Sequence, residues 1–243
     1  MKKYFEKIYK DSKNTFFSIV ENNLINNIKM FIVTANPETL IISEKNSNFK
    51  KALLDEKTLI IPDGIGVLKG LKFFKYNAKE TIPGIELSTK LLELCNTYKK
   101  RIFLFGSTKN VIETLVNVIN LKYKNLEICG YENGYVENKQ EIFNRIQNLK
   151  PDVILVALGI PEQELLIYNN LNKFKKGIFV GVGGSFDVLS GIKNRAPKQF
   201  RKLHLEWLYR IFKEPKRLKR FFNNNLKYSF KLLNLNKKNL EKN

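Results

Sequence analysis

The sequence predicts an α/β fold in which a mostly parallel β-sheet carries helices on both faces. Three observations support this: short β-branched and apolar runs, glycine, proline or small polar residues at their ends, and helical patterns between them. Strands that alternate with helices are joined by right-handed crossovers, which lay the helices over a parallel sheet. We therefore expect a Rossmann-like α/β domain that ends near Lys193.

Five runs have the length and composition of buried strands. In chain order they are MFIVTA (30–35), TLIIP (58–62), RIFLFG (101–106), DVILVALG (152–159) and GIFVGVGG (177–184). Two stretches between them carry apolar residues at i, i+4, i+7 and i+8, the spacing of an amphipathic helix. These residues are Leu87, Leu91, Leu94 and Cys95, and Val111, Leu115, Val118 and Ile119.

Composition indicates a globular protein of a reducing compartment. Hydrophobic residues make up 43% of the 243 residues and charged residues 27%. The first residues lack the apolar stretch of a signal peptide, and no apolar run approaches the roughly 20 residues of a membrane span. Cys95 and Cys129 are far apart and form no CxxC pair. We expect a cytoplasmic protein.

Positive charge is concentrated in the last fifth of the chain, residues 195–243, which we call the basic tail. It holds fifteen lysines and arginines and three glutamates, so it contributes +12 of the net charge of +20. Such a segment predicts a polyanionic partner: nucleic acid, anionic lipid or a phosphorylated substrate. Solvated lysines of a lysine-rich proteome are the alternative, and the clustering speaks against it.

The sequence lacks the motifs of several common cofactor-binding and catalytic sites. The GVGGSF run (181–186) has Phe186 where GxGxxG needs its third glycine, and no acidic residue follows at the usual distance, so NAD binding is disfavoured. There is no GxxxxGK[ST] and no GxSxG, and the only histidine is His204. No Asp-x-Asp pair is present. We expect no metal and no cofactor, and a diphosphate here would be neutralised by Arg, Lys and backbone N–H groups.

Polar residues follow each predicted strand, where ligands of open α/β sheets bind. The segments are TANPE (34–38), PDG (62–64), GS (106–107), GIPEQE (159–164) and GGSFD (183–187). Each is also typical of an ordinary turn. Five such segments at one predicted edge favour a polar small-molecule site.

The basic tail has a helical pattern. Leu205, Leu208 and Phe212 follow i, i+3 and i+7, and Pro215 lies where a second helix would begin. One interpretation is an amphipathic helix that packs Trp207 on the domain. The other is an interfacial helix with Lys and Arg toward lipid headgroups and aromatic residues at the acyl boundary. Both can hold, with packing near Trp207 and membrane contact beyond Phe221.

The chain resembles the WecG/TagA/CpsF glycosyltransferases, glycosyltransferase family 26. The similarity covers nearly everything after Met30. It is carried by TANPETL, LIIPDGIGV, RIFLFGS, PDVILVALGIPEQE and GVGGSFDVLSGIKNRAPKQFRKLHLEWLYRIFKEPKRL. Thr81 departs from the family pattern, since many members carry arginine there, and this leaves the exact sugar open.

The resemblance implies an enzyme with a Rossmann-like core, residues 1–194, and a C-terminal appendage, residues 195–243, that completes the active site at the membrane. Members transfer N-acetylmannosamine or a related sugar from a UDP donor to lipid-diphosphate-linked N-acetylglucosamine. The product feeds the assembly of wall teichoic acid, enterobacterial common antigen or capsule. The activity is understood to be metal-independent.

Asp63 is the expected general base, because it follows a buried strand beside a glycine that lets substrate approach. The alternative role for Asp63 is the N-cap of the next helix. We expect Thr34, Asn36 and Gln163 to bind substrate, and Arg210 and Arg217 to stabilise the departing UDP. The expected nucleotide-binding residues are Gly106, Gly134, Tyr135, Gly183, Gly184 and Asp187.

The expected partners are a UDP-sugar donor, a polyprenyl-diphosphate-linked acceptor and the anionic inner face of the cell membrane, to which the protein binds peripherally. A homo-oligomer is left open. A different donor, such as UDP-glucose or UDP-N-acetylglucosamine, is one alternative. A nucleic-acid-binding module that uses the same basic tail is the alternative from another class. An RNA binder has no need of the polar edge, so we expect no nucleic-acid partner.

Overall fold

A computed structural model describes residues 1–203, 205–215 and 217–240, without the side chains of Arg210, Arg217, Arg220 and residues 235–240. The strands are β1 Met30–Ala35, β2 Thr58–Pro62, β3 Arg101–Gly106, β4 Glu127–Glu132, β5 Val153–Ala157 and β6 Ile178–Gly181. The helices before β4 are α1 Lys2–Lys7, α2 Lys13–Ile25, α3 Pro37–Lys45, α4 Ser47–Leu54, α5 Ile65–Phe73, α6 Gly84–Thr97 and α7 Lys109–Lys122. Those after it are α8 Lys139–Leu149, α9 Glu162–Asn170, α10 Ser185–Leu189, α11 Lys198–Lys202, α12 Glu206–Lys213 and α13 Arg217–Leu240.

The described strands form one sheet in the order β2-β1-β6-β5-β3-β4, and their pairings are parallel. The predicted α/β class is confirmed, and the five predicted strands and two predicted helices are present. β4 is an additional strand at the sheet edge. Its sequence, EICGYE, has no apolar run because its side chains are exposed or half-buried.

Alternate residues of each central strand face opposite layers of helices, as strand geometry requires. Phe103 and Phe105 of β3 pack with the helices of one layer, α1, α3, α4, α5, α8 and α9. Ile102 and Leu104 pack with those of the other, α2, α6, α7 and α10. Both faces of the sheet are therefore buried, which is why the strands read as continuous apolar runs.

The carboxyl edge of the sheet opens where neighbouring strands lead to opposite layers. β3 is followed by α7 on one face, whereas β5 is followed by α9 on the other. Such a switch point leaves a crevice in which α/β proteins bind ligands. β6, which leads to α10, likewise differs from both its neighbours, β1 and β5, which lead to α3 and α9.

The basic tail forms α11, α12 and α13, with Pro215 between the last two helices, as predicted. Tyr228 and Leu232 are buried where α13 packs against α3 and α5. His204 lies outside the described residues. Among the helices of the described part, none is both long and apolar enough to cross a bilayer.

Candidate active site

Asp63 and Asn36 lie on neighbouring strands at the carboxyl edge. The Asp63 N–H donates to the carbonyl of Ala35 at 2.8 Å, so the pairing of β1 with β2 continues past Pro62. Gly64, with φ of +91°, occupies the N-cap of α5 and has no side chain with which to cap it. The N-cap alternative for Asp63 is therefore wrong. Its predicted role as a base remains a prediction.

Asn36 is the N-cap of α3. Its Oδ1 accepts from the Thr39 N–H at 3.0 Å, and the Thr39 hydroxyl accepts from the Asn36 N–H at 3.2 Å. This capping box fixes the loop after β1. The sequence predicts that Asn36 orients the substrate. The side chain would have to do this while it caps α3.

Thr34 lies where β1, β6 and α6 meet. Its side chain is buried, and its hydroxyl lies 3.5 Å from the carbonyl of Gly181 on β6. Gly84, the first residue of α6, is close enough that a Cβ there would lie 3.4 Å from Thr34 Cγ2. The start of α6 therefore reaches the same edge as Asp63.

Gln163 joins the loops after β5 and β6. Its Oε1 accepts from the N–H of Gly159 and from the N–H of Gly183, both at 3.1 Å. Its Nε2 donates to Glu164 Oε1 at 2.6 Å. Gln163 is only 2% exposed, so its amide is occupied by protein groups and the predicted substrate contact stays a prediction.

The same bonds change the predicted part of Gly183 in diphosphate binding. Its N–H is taken by Gln163, so that N–H does not point to a ligand. Gly183 has φ of +48° and open space where a side chain would stand, as does Gly159 with φ of +87°. Gly184 follows at the N-cap of α10. These glycines provide room beside the sheet edge for a large group.

Glu164 carries a buried carboxyl that the sequence reasoning did not single out. It is 1% exposed, and Oε2 has no hydrogen-bond partner among the described residues. Burial raises the pKa of this carboxyl to about 7, and the hydrogen bond from Gln163 opposes that shift. An apolar residue would be expected at such a buried position, so the presence of a carboxyl group there needs an explanation.

A cavity of about 360 Å³ lies at the switch point between β3 and β5. Its lining includes Ser107, Gly134, Tyr135, Leu158, Lys139 and Glu162. Gly134 N–H donates to the Ser107 carbonyl at 2.8 Å, which holds the loop after β4 beside that after β3. Tyr135 is 80% exposed and can present its ring to a ligand. Gly106, Gly134 and Tyr135 are thus brought together, as their predicted common role requires.

Gly106 is required by backbone packing. With φ of +121° it turns the chain at the end of β3, and a Cβ there would lie 2.4 Å from the carbonyl oxygen of Ala157. The next N–H, that of Ser107, donates to that oxygen at 2.9 Å. The close approach of β3 to β5 therefore positions the residues that follow them, Ser107 and Leu158, which line the cavity.

Asp187 lies in the first turn of α10 and is held by Lys193. The Lys193 ammonium is 3.2 Å from Asp187 Oδ1 and 2.9 Å from Glu214 Oε1. The hydrogen bond to Glu214 is the main cause that raises the pKa of Lys193. Because Glu214 lies in the basic tail, this triad ties the tail to the predicted nucleotide end of the site.

Arg210 lies in α12 and Arg217 begins α13. Their side chains are outside the described residues, so the predicted contact with a departing diphosphate stays a prediction. The two positions flank Glu214, which pairs with Lys193, and Lys193 in turn pairs with Asp187. The backbone of the tail therefore brings this basic segment to the α10 end of the edge.

The packing of α13 onto α3 and α5 was missed by sequence reasoning. The Tyr228 hydroxyl donates to the Gly66 carbonyl at 3.0 Å, and a Cβ on Gly70 would lie 2.1 Å from that hydroxyl oxygen. Lys231 pairs with Glu44 of α3 at 2.9 Å. The signal in the sequence was the GxxxG spacing of Gly66 and Gly70 in α5.

Within the described ranges, no group of three or more His, Cys, Asp or Glu side chains is placed to hold a metal ion. Cys95 is buried and Cys129 half-buried, both as free thiols. Burial raises the pKa of Cys129 to about 11, so this thiol is poorly suited to act as a nucleophile.

Comparisons with known proteins agree with this architecture. The family described as "Glycosyl transferase WecG/TagA/CpsF family" matches residues 7–242. A Bacillus spizizenii protein named N-acetylglucosaminyldiphosphoundecaprenol N-acetyl-beta-D-mannosaminyltransferase is 39% identical, over 86% of this chain and 82% of its own. Proteins of the same name from Bacillus subtilis and Staphylococcus aureus are 38% and 37% identical, each over 85% of this chain and 80% and 79% of their own.

A parallel α/β sheet with a polar carboxyl edge, together with these matches, defines a glycosyltransferase. The chain belongs to the WecG/TagA/CpsF family, and the resemblance inferred from its motifs is confirmed.

Proposed function

We propose that this enzyme transfers N-acetylmannosamine from a UDP donor to N-acetylglucosamine linked through a diphosphate to a polyprenol, with inversion at the anomeric carbon. The similarity to the three named mannosaminyltransferases, across most of both chains, carries this proposal. The product would enter the assembly of teichoic acid, common antigen or capsule.

The order of groups along the sheet edge suits a sugar nucleotide. The cavity at β3 and β5 would hold the nucleoside beside Tyr135, and the glycine loops after β5 and β6 would border the diphosphate. Asp63, after β2, would face the sugar. Four strand spacings separate β2 from β3, roughly 19 Å, about the reach of an extended sugar nucleotide.

The chemistry requires one proton transfer. The Asp63 carboxylate takes the proton of the acceptor hydroxyl while that oxygen attacks the anomeric carbon, and the bond from this carbon to the diphosphate oxygen breaks. The electron pair leaves on UDP, whose charge Arg210 and Arg217 would stabilise in place of a divalent metal. Thr34 and Asn36 would orient the sugar or the attacking hydroxyl.

The acceptor is a lipid, and α13 offers a surface that suits a membrane. Leu218, Phe222, Leu226, Phe230 and Leu233 are each 44% or more exposed, whereas Tyr228 and Leu232 of the same helix are buried. We call these five residues the α13 stripe. Lysines beside it, such as Lys219 and Lys227, are exposed. An apolar stripe with flanking cations suits peripheral binding to an anionic surface on the inner face of the cell membrane.

Radiolabelled donors tested with a short-chain lipid-diphosphate acceptor decide the donor and acceptor classes. We expect transfer from UDP-N-acetylmannosamine to the N-acetylglucosamine acceptor, and at least tenfold slower transfer from UDP-glucose or UDP-N-acetylglucosamine. Faster transfer from either of these two would replace the donor and keep the enzyme class. No transfer from any donor, together with tight RNA binding at physiological salt, would contradict the proposal.

A further inference from the structure

The side-chain amide of Gln163 joins two loops that are far apart in sequence. Its one oxygen accepts from Gly159 in the loop after β5 and from Gly183 in the loop after β6, each at 3.1 Å. Both glycines have positive φ and open space beside them. The relative position of the loops therefore depends on which way this amide faces.

Glu164 reinforces that orientation. Its Oε1 lies 2.6 Å from Gln163 Nε2, and when Glu164 is ionised its oxygens can only accept hydrogen bonds. Turning the amide over would set Gln163 Oε1 against Glu164 Oε1 and would offer N–H donors to the two glycine N–H groups. Every contact in the cluster would then be repulsive, so the carboxylate and the two glycine N–H groups favour the same orientation.

Gly181 shows that the fold makes room for this pair. A Cβ on Gly181 would lie 2.7 Å from Gln163 Nε2 and 2.9 Å from Glu164 Oε1, and its φ is not positive, so the requirement is one of space. Burying a carboxyl with one unpartnered oxygen costs stability, and an apolar side chain would avoid this cost. Departures of this kind from an apolar interior are expected at functional or strained sites.

We infer that Glu164 is a positioning residue for glycosyl transfer, which acts through the Gln163 amide to fix the two glycine loops beside the donor. The consequence for catalysis rests on the proposed function, because it takes these loops as the border of the diphosphate site. The fixing of the loops is independent of what they bind.

Two measurements on the full chain separate the fixing of the loops from its consequence for catalysis. Amide hydrogen exchange at Gly159 and Gly183 reports the fixing of the loops, and calorimetric titration with UDP, with KM and kcat for the sugar nucleotide, reports the consequence. The variants are Glu164→Ala, which removes the carboxyl, and Glu164→Gln, which keeps an acceptor oxygen. Asp152→Asn is the matched control, since Asp152 is a buried carboxylate just before the amino end of β5.

We expect Glu164→Ala to speed exchange at both glycines at least tenfold, to weaken UDP binding about tenfold, and to raise KM more than it lowers kcat. Glu164→Gln should restore the exchange rates and the UDP affinity to within about threefold of wild type. Asp152→Asn should change neither the exchange rates nor the UDP affinity. If Glu164→Ala does not fold, Gly181→Ala displaces the same amide from the other side and should give the same two effects.

Unchanged exchange at Gly159 and Gly183 in Glu164→Ala would overturn the inference, as would an equal effect of Asp152→Asn. Faster exchange with unaltered UDP affinity and kinetics would overturn the catalytic consequence. If the wild type binds no UDP, the proposed donor fails, and the exchange rates still decide whether Glu164 fixes the loops.

Discussion

The residues that shape the carboxyl edge do so mainly through hydrogen bonds to backbone. Asn36 caps α3, Gln163 holds two loop amides, and the Asp63 N–H extends the pairing of β1 with β2. Each of these bonds fixes a loop that a parallel sheet would otherwise leave irregular. The edge is therefore preorganised before any ligand binds, which is what transition-state stabilisation requires.

Glu164 makes the stability of the fold depend on pH. Burial raises its pKa from the ordinary 4.5 to about 7, so between these values the folded state holds a proton that the unfolded state has released. This contribution is fully present below pH 4.5 and is lost as pH rises through 7. The shift corresponds to about 3 kcal/mol at most.

Glu164→Gln should remove this pH dependence. Chemical denaturation from pH 4.5 to 8 measures the free energy of unfolding of both proteins. As pH rises, that of the variant should increase relative to the wild type by up to about 3 kcal/mol, because a neutral amide has no proton to lose. A constant difference across the range would show that the carboxyl is not shifted.

Single residues also mark how far sequence reasoning reaches. The position of Asp63 and Asn36 at the carboxyl edge could be predicted, because both directly follow strands and the strand ends meet at one edge. The contact of Gln163 with Gly183 and that of Lys193 with Glu214 could not, because each depends on how separate loops and helices pack. The hydrogen-bond and ion-pair partners of a side chain depend on three-dimensional contacts, which the periodicity of the sequence does not encode.

Among the elements, α13 has two apolar faces with different uses. Tyr228 and Leu232 are buried against the domain, and the α13 stripe faces outward. The sequence predicted the helix, but not which face packs, because both carry leucine and aromatic residues. β4 was missed for the opposite reason: an edge strand with half-exposed side chains has no apolar signature.

Replacing three residues of the α13 stripe, Phe222, Leu226 and Phe230, by serine should weaken binding to anionic vesicles at least tenfold. Each side chain that enters the acyl boundary contributes on the order of 1 kcal/mol or more. Cosedimentation with phosphatidylglycerol vesicles measures this, and raised salt should weaken wild-type binding. Leu121→Ser is the control, since Leu121 is 74% exposed on α7, outside the stripe.

Equal sedimentation of the triple variant and the wild type would contradict the role given to the stripe. So would wild-type binding that ignores lipid charge, because the lysines beside the stripe are expected to contribute.

At the scale of the whole molecule, α13 packs on α3 and α5. α3 starts directly after Asn36, and α5 starts two residues after Asp63. The tail therefore supports the proposed sugar end of the edge, while Glu214 and Lys193 join it to Asp187 of α10 at the proposed diphosphate end. The alternation of strands and helices was enough to predict the parallel sheet and the edge at which its polar loops meet. The contacts of the tail across the domain were not predictable, because they depend on small residues such as Gly66 and Gly70.

The central claim is that Asp63, at the end of β2, is the base of a glycosyltransferase whose donor lies along the carboxyl edge. The most direct measurement is the turnover of Asp63→Asn, with UDP affinity measured in parallel. Asp55→Asn is the control, because Asp55 precedes the same strand at its opposite end. We predict that Asp63→Asn lowers kcat roughly 10²–10⁴-fold with UDP affinity unchanged, while Asp55→Asn keeps normal turnover. Normal turnover of Asp63→Asn would contradict the account.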